Sequence, residues 1–198
     1  MDNDNLEKKI KVFGAKNGVL LGLILLSLSI FSFYFITSIA RSLPLLLLGP
    51  IIFTFVIPVI IVVLLCFNFR KKIGGFWTVR QATTGIFIMF LTAYVIQIVG
   101  RDLVFAKFIE PDMAKKTQAA FINTSTSLRS QPGANQKQID QNIADIKKGF
   151  EEQSNITIAK FIQGLAISII FIFVFALIFA GLFKKEPILY NNEIDAVS

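Results

Sequence analysis

The sequence contains no histidine and only one cysteine, Cys66, among its 198 residues. Without histidine, several common catalytic and metal-binding arrangements are excluded, because the imidazole serves in them as the base or as a ligand. A single cysteine excludes an intrachain disulfide and leaves the redox compartment of the protein undetermined. We therefore predict no catalytic, cofactor-binding or metal-binding residues, and we expect a protein that is not an enzyme.

Charged residues are missing from the interior of four long apolar runs, at positions 18–40, 43–67, 82–99 and 161–183. A helix of about 20 apolar residues, rising roughly 1.5 Å per residue, matches a hydrocarbon core about 30 Å thick. Hydrophobic residues make up 54% of the chain, above the roughly 45–50% of soluble domains. The runs predict four transmembrane helices, with residues 18–100 holding the first three and residues 161–183 the fourth.

The basic residues are distributed unevenly along this pattern, and their positions predict the orientation of the helices. The segment 1–17 contains four lysines, and the short link between the second and third runs contains four more basic residues. Because Lys and Arg in short flanks stay on the cytoplasmic side, we expect segments 1–17 and 184–198 to be cytoplasmic and segment 101–160 to be external. The net charge of +7 is explained by these flanks, so we expect contact with membrane lipids and no binding of nucleic acid.

The external segment carries two helix signals separated by a turn. Glu110-Pro111-Asp112 is typical of a helix start, and the helix is expected to run to about Ser127. Pro132-Gly133 predicts a turn, and Asn135 followed by Gln138 predicts a second helix start. The second helix has an apolar stripe at helical spacing, formed by Ile139, Ile143, Ile146 and Phe150. The predicted fold is an all-α integral membrane protein with a helical extracytoplasmic hairpin between its third and fourth transmembrane helices.

The hairpin stripe must be covered by something. We expect it to pack on the first hairpin helix or on the membrane surface, as most amphipathic helices bury their apolar side. The alternative is a docking face for a partner helix or an apolar ligand.

Small residues recur every four positions in two of the runs. They are Gly14, just before the first run, with Gly18 and Gly22 in it, and Gly164, Ser168, Ala176 and Ala180 in the fourth, where Ile172 interrupts the period. Small residues at this spacing let helix backbones approach closely in lipid. We predict that the first and fourth helices pack together along these stripes, and contact with a second copy of the chain stays open.

The second run contains Pro50 and Pro58, which remove backbone donors and predict kinks. Discontinuous helices can form transport sites. No acidic or basic residue is near these prolines in the sequence, so the prolines are interpreted as structural.

Polar residues at the external ends of the runs are the remaining candidates for a site. They are Gln97, Arg101, Asp102 and Gln163. Arg101 and Asp102 are expected to anchor the helix among lipid head groups, and Gln97 to form an interhelical hydrogen bond. The alternative is a small polar pocket in which Arg101 holds a phosphate or a carboxylate.

The link between the second and third runs combines basic residues, two glycines and the only tryptophan, Trp77. The tryptophan suits the membrane interface, and the glycines permit a tight bend. The chain contains three short motifs: Gly-Gly-Phe-Trp-Thr at 74–78 in this link, Phe-Ile-Glu-Pro-Asp at 108–112 and Phe-Lys-Lys-Glu-Pro at 183–187. With them, the chain resembles a bacterial membrane-protein family known as domain of unknown function 4199, from about residue 11 to residue 187.

The resemblance implies a location in the bacterial inner membrane and no established activity. It also implies a partner, since members of that family are often encoded beside a glycosyltransferase that acts on polyprenyl phosphate. We therefore expect a non-catalytic scaffold or accessory subunit that contacts a membrane protein or forms a homo-oligomer. The alternative is a small transporter or lipid-handling protein that uses the kinked second helix.

Overall fold

The computed structural model describes residues 3–128, 135–154 and 157–185 of the chain. Throughout these ranges the backbone is helical apart from short links and one isolated antiparallel bridge, between Trp77 and Lys185. Four of the helices in the described ranges are long and apolar enough to cross a membrane: Asp4–Ile39, Pro44–Lys72, Val79–Ile109 and Ile158–Phe183. We call them the first to the fourth span. They confirm the prediction of an all-helical protein with four membrane-crossing helices.

The spans combine α-helix with π-helix. The first contains α1 (Asn3–Tyr34) and a π-helical segment (Phe35–Ile39), and the second contains α2 (Leu43–Ile51), a π-helical segment (Ile52–Val56) and α3 (Ile57–Lys72). The third contains α4 (Val79–Gln97) and a π-helical segment (Ile98–Ile109), and the fourth is α7 (Ile158–Phe183). Between the last two spans lie α5 (Met113–Ser127) and α6 (Gln136–Ser154), which we call the hairpin.

All four spans are longer than their apolar runs, and the first and third exceed them most. The first helix begins at Asn3 instead of near residue 18, because nothing in the lysine-rich segment breaks a helix, and Ile10 in that segment is buried. The third span continues to Ile109, so Arg101 and Asp102 lie within a helix and not at its end. Hydropathy marks where lipid contact stops, whereas the helix stops where its backbone bonding does.

The glycine stripe of the first span packs against the third span, not the fourth. A Cβ atom added at Gly18 would lie 2.6 Å from the backbone oxygen of Met89, and one added at Gly14 would lie 2.7 Å from that of Gly85. At Gly22 the added atom would meet Ile96 at 2.8 Å. The predicted pairing of the first and fourth helices is therefore wrong. Small residues permit a close approach, but they do not specify which helix approaches.

The fourth span packs mainly against the third. Ala176 and Ala180 are fully buried in this contact, and Phe87 of the third span meets Phe173 edge to face at a centroid distance of 5.8 Å. Ser168 is half-buried, while a Cβ at Gly164 would meet nothing within 4 Å. Only the two alanines of the predicted stripe thus lie in a close helix contact.

One end of the bundle is closed around Trp77, and we call it the Trp77 end. Two glycines with positive φ, Gly74 at 117° and Gly75 at 85°, end α3, where the Gly75 N–H donates to the Arg70 carbonyl at 2.9 Å. The indole Nε1 of Trp77 donates to the carbonyl of Phe183 at 2.7 Å. That carbonyl ends the fourth span and has no acceptor role within its own helix. Trp77 is buried, so its ring packs inside the protein and not against lipid, and its place at the depth of the membrane interface stays a prediction.

The opposite end of the bundle carries the hairpin, and we call it the hairpin end. As predicted, α5 ends at Ser127 and α6 begins after Asn135, whose Oδ1 accepts the Gln138 N–H at 3.3 Å. The turn predicted at Pro132-Gly133 lies outside the described residues. Of the α6 stripe, Ile139 is buried and the other three members, Ile143, Ile146 and Phe150, are half-buried. Since α6 packs on α5, the stripe is covered at least in part within the hairpin, and docking of a partner stays a prediction.

Candidate functional site

A cavity of about 420 Å³ lies between the first three spans near the hairpin end. Its walls come from all three spans and from the start of α5, and they consist of Leu25, Ser29, Ser32, Phe33, Ile36, Pro50, Phe53, Thr54, Pro58, Gln97, Arg101, Met113 and Thr117. A volume of this size falls in the range of about 300–1,000 Å³ that is usual for small-molecule sites. We call it the polar cavity, because it brings hydroxyls, an amide and a guanidinium together between apolar helices.

Every π-helical segment contributes to this cavity. Ile36 comes from the first, Phe53 and Thr54 from the second, and Arg101 from the third. Each segment ends on an i to i−5 bond, such as that from the Ala40 N–H to the Phe35 carbonyl at 2.8 Å. A π-turn inserts a residue and so rotates the side chains that follow, which is why such turns are frequent at functional sites.

The two prolines explain the π-helical segment of the second span. Pro58 has no N–H for the carbonyl of Thr54, four residues earlier, and its ring crowds that carbonyl. The chain responds by widening, and the Ile57 N–H bonds the Ile52 carbonyl instead. The predicted disturbance near both prolines is therefore present as a wide turn between them, and it places Thr54 on the cavity wall.

Four polar side chains in the cavity have no partner. Within the described ranges, no hydrogen bond or ion pair is found for the hydroxyls of Ser29, Ser32 and Thr54 or for the guanidinium of Arg101. Ser32 is buried at 6% exposure and Ser29 is half-buried, whereas Thr54 and Arg101 are exposed. These four groups are free to bind a ligand.

Gln97 links the cavity to the helix packing. Its Nε2 donates to the carbonyl of Gly22 at 3.2 Å, which confirms the predicted interhelical hydrogen bond. The donor is available to that carbonyl because the glycine stripe brings the first and third spans so close. Arg101 follows Gln97 by four residues and lines the same cavity.

Aromatic rings form part of the apolar wall. Phe53 meets Phe31 edge to face at a centroid distance of 5.0 Å and Phe35 at 5.3 Å. Phe33 is buried and meets Phe105 edge to face at 5.7 Å. Such pairs add about 0.5–1.5 kcal/mol each to the area that they bury, so this side of the cavity is held by ring packing.

The predicted polar cluster is only half assembled. The structure brings Gln97 and Arg101 to one cavity, whereas Asp102 and Gln163 are exposed and do not line it. The interpretation of the prolines also needs correction, because it relied on the lack of a nearby base. Arg101 is distant from both prolines in the sequence, but it lines the cavity that they border.

Sequence reasoning missed the hydroxyls of this site. Ser29 and Ser32 are three residues apart and therefore share a helix face, and Thr54 lies between the two prolines. That spacing was the available signal. It is weak, because a serine or threonine in a membrane helix commonly bonds its own backbone, as Ser27 does with the carbonyl of Leu23 at 3.0 Å.

A second, smaller pocket of about 360 Å³ adjoins the polar cavity, and Phe33 lines both. At its edge the carboxylate of Glu110 accepts a hydrogen bond from Nζ of Lys116. This bond raises the pKa of Lys116 above its ordinary value of 10.5. Because the lysine neutralises the carboxylate, this pocket has no uncompensated charge comparable with Arg101.

A family model described as "Protein of unknown function (DUF4199)" matches residues 16–185 of the chain. The match covers most of the sequence and confirms the resemblance noted above. No curated protein and no solved structure matches the chain. The protein belongs to the DUF4199 family, and its function must be inferred from its own geometry.

Proposed function

We propose that this DUF4199 protein is a non-catalytic, lipid-handling membrane protein that binds an amphiphile with an anionic head group in the polar cavity. The observation that carries the proposal is the unpaired set of Arg101, Ser29, Ser32 and Thr54 in a cavity between apolar spans. A guanidinium offers five N–H donors in a planar fork and suits a phosphate or a carboxylate. The hydroxyls add donors that need no charge of their own.

The remainder of the cavity wall supports an apolar tail for this ligand. Leu25, Ile36, Phe53 and Met113 line the cavity beside the polar groups. A site of this composition favours a molecule with one charged end and one hydrocarbon end, because each end then meets a matching surface. The lining contains no acid and no histidine, which supports binding over chemistry on the ligand.

The ligand proposal is tested by exchanging Arg101 for glutamine. Lys107→Gln is the matched control, because Lys107 lies in the same π-helical segment but does not line the cavity. Lipids that copurify in mild detergent are identified by mass spectrometry. We expect an anionic amphiphile with the native protein and with the control, and its loss from Arg101→Gln.

A steric variant separates charge from volume in the same assay. Ser29→Phe fills the cavity without changing its charge, and it too should lose the amphiphile. The same bound lipid in all four proteins, or none in the native protein, would contradict the proposal.

A second candidate function, an accessory subunit or scaffold, is favoured by the fourth span. Only 11% of its apolar window is buried within the protein, and a Cβ atom added at Gly164 would meet no described residue within 4 Å. This surface is available to a membrane protein partner or to a second copy. A glycosyltransferase acting on polyprenyl phosphate would fit both candidates, since that substrate is itself an anionic amphiphile.

The accessory role is tested at the exposed glycine. Gly164→Leu should leave the free energy of unfolding within about 0.5 kcal/mol of that of the native protein, because open space receives the new side chain. Affinity purification from membranes, followed by identification of the captured proteins, should then show the loss of a partner. If the native protein captures nothing reproducibly, this candidate is dropped.

We also propose that the protein resides in a bacterial inner membrane, with both termini in the cytoplasm and the hairpin outside. The four basic residues at the Trp77 end support this orientation. Single cysteines at Lys137 and Lys71, two exposed positions at opposite ends, are compared in a Cys66→Ala background. A membrane-impermeant thiol reagent applied to intact cells should label only position 137, and labelling of position 71 alone would reverse the orientation.

A further inference from the structure

A surface groove of about 520 Å³ lies at the Trp77 end of the bundle. The polar cavity lies near the opposite end. The walls of the groove include Leu64, Phe67, Asn68, Arg70, Lys71 and Lys185. Five of these six lie on the last turns of the second span, and Lys185 follows the end of the fourth. The groove is therefore built between the ends of two membrane spans.

The groove changes from apolar to cationic along the second span. Leu64 and Phe67 are 61% and 50% exposed, although they belong to a span that crosses the apolar part of a membrane. Asn68 follows one turn after Leu64, and Arg70 and Lys71 end the helix. An occupant that lies along this wall meets hydrocarbon first and positive charge last, which is the order found in a phospholipid at a membrane surface.

Two of the three cations are held in position by the fold. Arg70 donates from Nη1 to the Phe183 carbonyl at 3.3 Å, and its guanidinium lies 5.5 Å from the ring centroid of Phe67. The backbone of Lys185 pairs with that of Trp77 at N···O distances of 2.9 and 3.3 Å, and its Nζ lies 5.6 Å from the ring centroid of Phe76. A preorganised cation loses less conformational freedom on binding than a mobile surface lysine does.

The positive charge of the groove is uncompensated among the described residues. The ion pairs found among the described residues join Arg80 to Glu7, Lys115 to Asp112 and Lys116 to Glu110. None of them involves Arg70, Lys71 or Lys185. Arg70 uses one of its donors on Phe183, so the others stay available. Three cations converge on one groove whose floor is continuous with exposed apolar side chains.

We propose that this groove binds the head group of an anionic phospholipid. The phosphate lies among Arg70, Lys71 and Lys185, Asn68 donates to the head group, and the acyl chains run over Leu64 and Phe67. Charge complementarity and the apolar floor together select a lipid over a soluble anion, which would leave Leu64 and Phe67 uncovered. The site is separate from the polar cavity and does not depend on the function proposed for it.

The test compares two double variants of equal charge. Lys71→Gln with Lys185→Gln removes two groove cations. The control, Lys72→Gln with Lys184→Gln, removes the adjacent lysine from each of the same two segments, and neither control residue lines the groove. Binding of phosphatidylglycerol and of phosphatidylcholine to purified protein is measured by native mass spectrometry in detergent.

We expect the groove variant to bind phosphatidylglycerol at least about tenfold more weakly than the native protein, and the control less than about threefold more weakly. Phosphatidylcholine binding should be the same in all three proteins. An equal loss in both double variants would show a general attraction to the charged end and overturn the proposal. So would a native protein that does not prefer phosphatidylglycerol.

A second measurement, on single variants, tests the proposal even if the double groove variant folds poorly. Lys71 is exposed and has no ion pair among the described residues, so Lys71→Gln alone should purify with an unchanged melting temperature. It should weaken phosphatidylglycerol binding more than Lys72→Gln does. If the two single variants bind this lipid equally, the groove is not the site.

Discussion

The two ends of the bundle use their polar groups in opposite ways. At the Trp77 end, the indole N–H and Arg70 both donate to the Phe183 carbonyl, and Thr78 and Gln81 bond each other's backbone N–H groups in a capping box. At the hairpin end, three hydroxyls and a guanidinium face a cavity without partners. Two of these unpaired groups, Thr54 and Arg101, lie in π-helical segments, and the other two, Ser29 and Ser32, lie in α1.

This difference separates stability from binding capacity. The Trp77 end gives the last carbonyl of the fourth span a partner and fixes that span to the second, so it stabilises the fold. The hairpin end leaves donors without a protein partner among the described residues, so they are available to hydrogen-bond a ligand. We therefore expect substitutions at the Trp77 end to act mainly on stability and those at the cavity mainly on ligand retention.

The largest effect on stability is expected at Trp77. Trp77→Ala removes a fully buried ring, its edge contact with Phe69 at 5.2 Å and the hydrogen bond to Phe183. We expect a loss of about 3–5 kcal/mol, the range for large aromatic truncations, measured by thermal unfolding in detergent. Trp77→Phe keeps a ring but not the donor, and should cost about 1 kcal/mol because Arg70 still serves the carbonyl. Equal losses in the two variants would show that only the hydrogen bond matters.

The second-largest loss of stability is expected in the glycine stripe of the first span. Gly18→Leu forces a side chain into a gap where even a Cβ would lie 2.6 Å from Met89 and Thr92. We expect a loss of about 3 kcal/mol, at the upper end for overpacked interiors. Gly164→Ala is the control, since its Cβ meets nothing, and it should be neutral or slightly stabilising. A melting temperature unchanged by Gly18→Leu would mean that the first and third spans do not pack through this glycine.

A smaller and local effect is expected in the hairpin. Ile139→Ala truncates the one buried member of the α6 stripe and should lower the local stability of α6 by about 2 kcal/mol. Limited proteolysis should then cut between positions 135 and 154, while the spans stay intact. Lys147→Ala, on an exposed face of the same helix, is the control. Unchanged protease resistance in Ile139→Ala would indicate that something other than α5 covers this side chain.

The smallest expected effect on stability is a change in the contribution of the Lys116–Glu110 hydrogen bond at alkaline pH. The hydrogen bond from Lys116 to Glu110 raises the pKa of Lys116 above 10.5. Because the folded-state pKa exceeds the unfolded one, this stabilisation is complete below about pH 10.5 and is lost as the pH rises through the folded-state pKa. We expect the difference in melting temperature between the native protein and Lys116→Gln to shrink above that pH. A difference that stays constant to the highest pH would assign it to packing instead of charge.

Part of the candidate site was visible in the sequence. Gln97 and Arg101 were identified because polar residues near a membrane helix are uncommon, and the interhelical bond of Gln97 was expected. Asp102 and Gln163 matched the same criterion but do not line the cavity. Ser32 and Thr54 were overlooked, because a hydroxyl in an apolar run gives the same pattern whether it faces a cavity, lipid or its own backbone.

The sequence by itself determined the four spans, the two hairpin helices and the Asn135 cap of the second hairpin helix. These features depend on local quantities: the length of an apolar run, the spacing of a stripe, or an Asn three residues before a backbone donor. Hydropathy sums over all sides of a helix, so it predicts that a helix crosses the membrane without indicating what each side faces.

The tertiary structure decided which helices touch and where the polar groups meet. Helix association in lipid depends on the fit of surfaces from distant parts of the chain, and several partners can satisfy one glycine stripe. For this reason the stripe of the first span packs on the third, and Arg101 reaches the cavity beside Pro50 and Pro58. Only packing in three dimensions could turn these separate residues into a site.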